Sequence, residues 1–217
     1  MKTPMADPTN SRMGFNAIVL ARELVSSLDF DSARANSFEN YHARGLDYLC
    51  LLRTDRLTVK AYFFRSHREC QQCPNGEGWL VWPHNHRYIF EYVTIQGTIR
   101  NHRFVLDRGE AFELYAYSAE SREPIGIMSS GLHEAHVETT RAGEGFLMAR
   151  TDELHTLTIP TPTALAIQVQ FADTRQKTAM LAPRGVSVHC STDRELYRPP
   201  TPFAMRAWVE ELADALR

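Results

Sequence analysis

GWLVWPHNHRYIFEYVTIQG, residues 78–97, is the stretch on which the reading of this chain turns. It sets two histidines one residue apart, His84 and His86, and a carboxylate, Glu91, within an apolar run rich in β-formers. On a strand, residues i and i+2 point to one face, so a His-x-His pair presents two imidazoles side by side, a preformed two-nitrogen grip on a metal. Strict alternation puts Glu91 on the opposite face. It joins the histidines only where a bulge or bend between Arg87 and Phe90 shifts the phase, a device found beside active sites. Gly97 permits a tight turn into the next strand. Two surface histidines on an ordinary strand would account for neither Glu91 nor the glycines.

Outward from this stretch the β signal continues. Asp47–Leu52 and Leu57–Phe64 read as strands joined by a polar turn at 53–56. In the second of them Val59, Ala61 and Phe63 share one face, and Lys60, Tyr62 and Phe64 share the other. Further short strands are expected at Ile99–Leu106, Ala111–Ser118, Pro124–Met128, His133–Thr139, Gly145–Ala149, His155–Ile159 and Ala164–Phe171, a spacing that argues for a sandwich or barrel. Helical periodicity is confined to the ends. Phe15, Ile18, Val25 and Leu28 define an N-terminal helix, and Asp31 or Ser32 opens a second piece reaching to about Ala43. Met205, Trp208, Val209, Leu212 and Leu216 give Phe203–Leu216 a broad apolar face suited to covering an open part of the barrel.

The spacing of the opening stretch resembles the first motif of the cupin superfamily: Gly, five residues, His-x-His, three or four residues, Glu, six residues, Gly. Gly78, His84, His86 and Glu91 fall in place, and Gly97 arrives one residue early. The second cupin motif, Gly, five residues, Pro-x-Gly, two residues, His, three residues, Asn, is matched in part by GEGFLMARTDELHTLTI at 143–159. Gly143 or Gly145 opens it and His155 is its histidine, while Arg150, Asp152 and Ile159 stand at the Pro, Gly and Asn positions. The resemblance implies a mainly all-β fold, a double-stranded β-helix or jelly-roll barrel with flanking N-terminal and C-terminal helices. Residues 1–13 would be a tail and 14–217 one domain, with a helical flank at 14–45, a barrel over about 46–190 and a final helix at 203–216.

It also implies a metal site built from His84, His86, Glu91 and His155. Three imidazoles and a carboxylate suit one divalent first-row metal, with Fe(II) favoured and Zn, Ni, Mn, Co and Cu as alternatives. Such a set leaves positions open for water, substrate or O2, which separates catalytic from structural centres. Glu91 is expected to remain a ligand or to act as a base. The reading is a small-molecule metalloenzyme, first an iron-dependent oxygenase. The alternatives are a lyase, isomerase or synthase using the metal as Lewis acid, and a non-catalytic small-molecule-binding barrel. A homodimer is expected from the resemblance alone.

Candidate substrate contacts are Arg65, Trp82, Tyr88, Arg100 and His102. Arg65 at a strand end can clamp a carboxylate. Arg100 and His102 share a face and bind substrate only if that face looks inward; basic residues on strands usually face water. Cys70-x-x-Cys73 and His133-x-x-His136 have the ligand types of a closed zinc site, though nothing in the sequence brings the pairs together.

Composition narrows the classes. In 217 residues, 43% are hydrophobic and 23% charged, the balance of a soluble globular domain with a full core. A net charge of -2 and the lack of a basic cluster point away from nucleic acid. No apolar run approaches a membrane span, MKTPMADPTNSRMG lacks the apolar segment of a signal peptide, and four cysteines make no disulfide scaffold. A cytoplasmic location is therefore expected.

Overall fold

The computed structural model describes residues 8–71, 76, 78–118, 125–186 and 195–217. The chain runs α1 (Pro8–Ser26), α2 (Phe30–Ala35), β1 (Leu46–Arg53), β2 (Leu57–Phe64), β3 (Tyr88–Gln96), β4 (Thr98–Ser118), β5 (Ile125–Arg141), β6 (Gly145–Met148), β7 (Leu154–Thr158), β8 (Ala164–Asp173), β9 (Lys177–Pro183) and α3 (Pro202–Ala215). One antiparallel sheet has the order β1-β2-β8-β3-β6, and the other has β5-β4-β7, with β9 paired to the distal half of β4.

Residues 79–85 complete the second sheet. Leu80 N–H donates to Leu157, His84 exchanges backbone bonds with His155, and Leu181 N–H donates to Pro83, so the segment lies between β7 and β9. From β2 to β8 the chain then passes back and forth between β2-β8-β3-β6 and the 79–85 segment-β7-β4-β5. That is the jelly-roll order of a double-stranded β-helix, and the expected fold class holds.

The first sheet is apolar on both faces because both are covered. Val59, Ala61, Phe63, Val93, Leu165 and Ile167 pack against α1 and α3 with Ala21, Met205, Trp208 and Leu212. The alternate residues Tyr48, Tyr62, Phe64, Phe90, Tyr92, Phe146 and Met148 fill the barrel. Thr201 caps α3 by accepting from Ala204 N–H at 3.1 Å, and the Trp208 ring stacks 5.9 Å from Phe63. No helix among the described residues is long and apolar enough to cross a membrane.

Several element boundaries depart from the expectation. α1 begins at Pro8, so 8–13 of the expected tail is helical, as a proline in the first helical turn allows; 1–7 lie outside the described residues. Asp29, rather than Asp31 or Ser32, caps α2 through Ser32 N–H. The second helix stops at Ala35. Phe38 then pairs with Tyr48, and its ring stacks on Tyr41 and Tyr48, so aromatic burial overrides local helix propensity. Four expected strands merge into two. At the polar run 108–111 the register jumps from Asp107 opposite Gly131 to Phe112 opposite Ser130, so a bulge replaces the expected break. Pro124 lies outside the described residues, and β9 was not expected at all.

The β3–β4 link is a single residue. Gly97 has φ +79, and a Cβ there would lie 2.5 Å from the Thr163 carbonyl oxygen. Gly97→Ala should cost about 1–3 kcal/mol, read as a lower urea midpoint at unchanged slope.

Candidate metal centre

His84 and His86 sit on the segment entering β3, and His155 sits on β7. The two stretches are tied backbone to backbone, with His84 N–H donating to His155 O at 2.9 Å and His155 N–H to His84 O at 2.8 Å. Residues exchanging both bonds are directly opposite and project from one face. One ring nitrogen from each of His84, His86 and His155 falls within 4.8 Å of the others, and His86 Nε2 lies 2.8 Å from His155 Nε2.

The outer nitrogens are held. His84 Nδ1–H donates to the Trp82 carbonyl at 2.9 Å, and His155 Nδ1–H donates to Asn101 Oδ1 at 2.8 Å. Each bond fixes a tautomer whose unprotonated Nε2 faces the group, the usual outer support of a metal-binding histidine. Burial pushes all three imidazoles below their ordinary pKa, and neighbouring histidines add to this at His86 and His155. They are therefore neutral, the form that ligates metal. Phe90 walls the group, its ring centroid 4.7 Å from His86 and 5.6 Å from His155. The donor set, tautomers and apolar wall fit one divalent transition metal.

The structure does not bring Glu91, expected as the fourth ligand, into this group. Within β3 side chains alternate through Tyr88, Phe90 and Tyr92, and across the bend at Arg87 the rings of Tyr88 and Phe90 meet His86. The irregularity near Tyr88 places its extra residue on β8, because Tyr88 faces Asp173 while Phe90 faces Gln170. The phase of β3 is therefore unchanged. Glu91 lies opposite Val169 and Leu147 on the helix-facing side, with Oε1 buried and no hydrogen-bond partner among the described residues. Burial there raises its carboxyl pKa.

The other expected contacts divide. Tyr88 is at the site, its ring 5.0 Å from His86. Trp82 contributes its carbonyl to His84, while its ring packs edge-on to Trp79 at 6.1 Å. Arg65 is drawn away from the site. It forks onto Glu211 of α3 at 2.8 Å, pairs with Asp47 at 3.0 Å and stacks over Phe63. Arg100 and His102 occupy the face of β4 opposite Asn101, because Asn101 is the residue that reaches His155. His102 is buried there between Glu134 at 2.7 Å and Thr158 at 2.9 Å. His133 and His136 are exposed on β5, Cys70 is exposed, and Cys73 lies outside the described residues, so no Cys/His cluster forms among the described residues.

Two residues that sequence reasoning did not single out belong to the site. Asn101 orients His155, and nothing in its local sequence announces that role. Lys60 is only 3% exposed, inside the barrel with Tyr62 and Phe64. Its signal was a lone cation on an apolar strand face.

No family model matches the chain, and no curated protein matches it in sequence. Solved structures similar to it include the cupin domain of Cnp3 from Schizosaccharomyces pombe, at 9% identity over 60% of this chain and 67% of that one, TM-score 0.35. The iron(II) form of HppE is similar at 14% identity over 62% and 55%, TM-score 0.35. KdgF from Halomonas sp. is similar at 16% identity over 58% and 80%, TM-score 0.33. The fold assignment rests on the strand order described above.

Two outcomes test the centre. His84→Ala and His86→Ala should each abolish bound metal while the far-ultraviolet circular dichroism stays that of the parent, and Asn101→Ala should weaken metal affinity about 10- to 100-fold. Unchanged metal content in both histidine variants would refute the ligand assignment.

Burial also pushes the Lys60 ammonium down to about 7. In the unfolded chain it titrates near 10.4, so between these values the unfolded state binds more protons and stability rises with pH. The penalty is full below about pH 7 and fades toward pH 10. Lys60→Met should therefore raise stability by roughly 1–4 kcal/mol at pH 6 and by much less at pH 9.5 in urea melts. A gain independent of pH would mean the amine is not depressed.

Proposed function

We propose that this chain is a metal-dependent cupin enzyme acting on a small molecule, with His84, His86 and His155 holding one divalent metal. The observation that supports it is the convergence of three neutral imidazoles whose Nδ1 positions are engaged at His84 and His155. Three protein ligands leave positions for exogenous groups, the pattern of a catalytic centre. Fe(II) is the favoured metal and an oxygenase the favoured class. When bound, the metal supplies Lewis acidity and, as iron, the capacity to activate O2. The chain supplies orientation and water exclusion. Asn101 and the Trp82 carbonyl fix the imidazoles, while Phe90 and Tyr88 close the space beside them. Glu91 has no part in this reading.

The test is elemental analysis of tag-free protein purified anaerobically, followed by oxygen-electrode assays with panels of small organic molecules. Near-stoichiometric iron and substrate-dependent O2 uptake, lost in His86→Ala, are expected. Zinc, nickel or manganese with turnover but no O2 uptake would move the assignment to Lewis-acid chemistry. No metal even after reconstitution would overturn the enzyme reading and leave a binding barrel.

A further inference from the structure

Lys60 has no role in holding a metal, yet its amine is buried inside the barrel among the same aromatic side chains. Its Nζ donates to Gln170 Oε1 at 2.9 Å and lies over the rings of Tyr48 at 5.4 Å, Tyr62 at 5.7 Å and Tyr88 at 5.4 Å. Among the described residues no carboxylate lies within ion-pair distance of it, and Asp173, paired to Arg87, acts on it only at longer range. An ammonium carries three N–H donors, so one amide acceptor leaves it under-bonded, and a buried charge without a counter-ion is costly. A second group in the lumen is also unpaired. The Tyr92 hydroxyl is buried with no hydrogen-bond partner among the described residues.

The two groups are aligned by the sheet. Gln168 of β8 faces Lys60 of β2 on one side and Tyr92 of β3 on the other, so Lys60, Gln168 and Tyr92 form one inward-facing row across three strands. The neighbouring inward row holds Gln170 and Phe90, and Phe90 packs on His86 and His155. Rows two residues apart are separated by roughly 7 Å along the strands. Lys60 leans toward the histidine end, through Gln170 and over Tyr88, whose ring reaches His86.

We propose that Lys60 and Tyr92 anchor the carboxylate of a small organic acid whose other end reaches the three-histidine centre. This names the substrate class and rests on the reading of that centre as the reaction site. A monocarboxylate supplies one negative charge for one ammonium and accepts from both the amine and the hydroxyl. A dianion such as phosphate would leave excess charge in an aromatic lumen. Burial holds the Tyr92 phenol well above its ordinary pKa, so it stays a donor.

The test is calorimetric titration of propionate and butyrate, with propionamide as neutral control, into metal-loaded and metal-stripped protein. Lys60→Met keeps an unbranched side chain, one atom shorter, and removes a buried charge, and Tyr92→Phe removes only a hydroxyl, so both variants are expected to fold. The acids should bind the parent with or without metal, at least about tenfold tighter than the amide. Lys60→Met should lose about tenfold or more, and Tyr92→Phe several-fold, with metal content unchanged. Equal acid binding by the parent and Lys60→Met, equal binding of acid and amide, or no binding of any probe would overturn the anchor. Acid binding that requires metal and ignores Lys60 would place the carboxylate on the metal and overturn it too. If the protein takes up no metal yet binds acids through Lys60, the anchor stands and the enzyme reading falls.

Discussion

Two backbone hydrogen bonds, exchanged between His84 and His155, hold the candidate metal centre of this molecule together. They join segments 71 residues apart in sequence, the distance from His84 to His155. Because such a pair is directly opposed, the two imidazoles leave the sheet on one face. His86, two residues on, joins them by alternation alone. If the 79–85 segment slipped by one residue against β7, the histidines would turn to the other face and the group would disperse. The jelly-roll order exists on either side of this contact. It brings β7 beside the early segment on one edge and β4, bearing Asn101, on the other.

The same pleat divides the first sheet between two tasks. Its helix-facing side is closed by α1 and α3 and is almost wholly apolar. Arg65, bound to Asp47 and Glu211, ties that layer to α3 at its rim. The inner side is aromatic and carries the buried polar groups Lys60, Gln168 and Tyr92, across the barrel from the histidines of the second sheet. Of these, the Tyr92 hydroxyl has no partner among the described residues and Lys60 has the single acceptor Gln170, and a buried polar group left short of partners opposes folding. The half-buried Glu91 on the opposite face lacks that company, and its buried Oε1 has no protein partner among the described residues.

Legibility in the sequence varied with the range of the interaction involved. β2 was read to the residue, because an apolar alternating run bounded by polar turns carries its own evidence. α3 was read to within one residue from its apolar face. The merging of four expected strands into β4 and β5 was not legible. A polar run such as 107–110 marks a turn only if the partner strand ends there, and here β5 continues past it. The early end of α2 has a similar cause, since Phe38 and Tyr41 find ring partners on β1 that no local window contains.

At the site, the sequence by itself determined the donor types and the strand parity. His84 and His86 had to share a face, and Glu91 had to lie on the other unless a bulge intervened, because the side-chain period of a strand is two. Only the tertiary structure decided that the irregularity falls on β8 and leaves the phase of β3 intact, which removes Glu91 from the set. Only it placed His155 opposite His84, Asn101 behind His155, and Lys60 in a row with Tyr92. Periodicity is a local property of the backbone, whereas register depends on which strands meet and how much apolar surface each alignment buries.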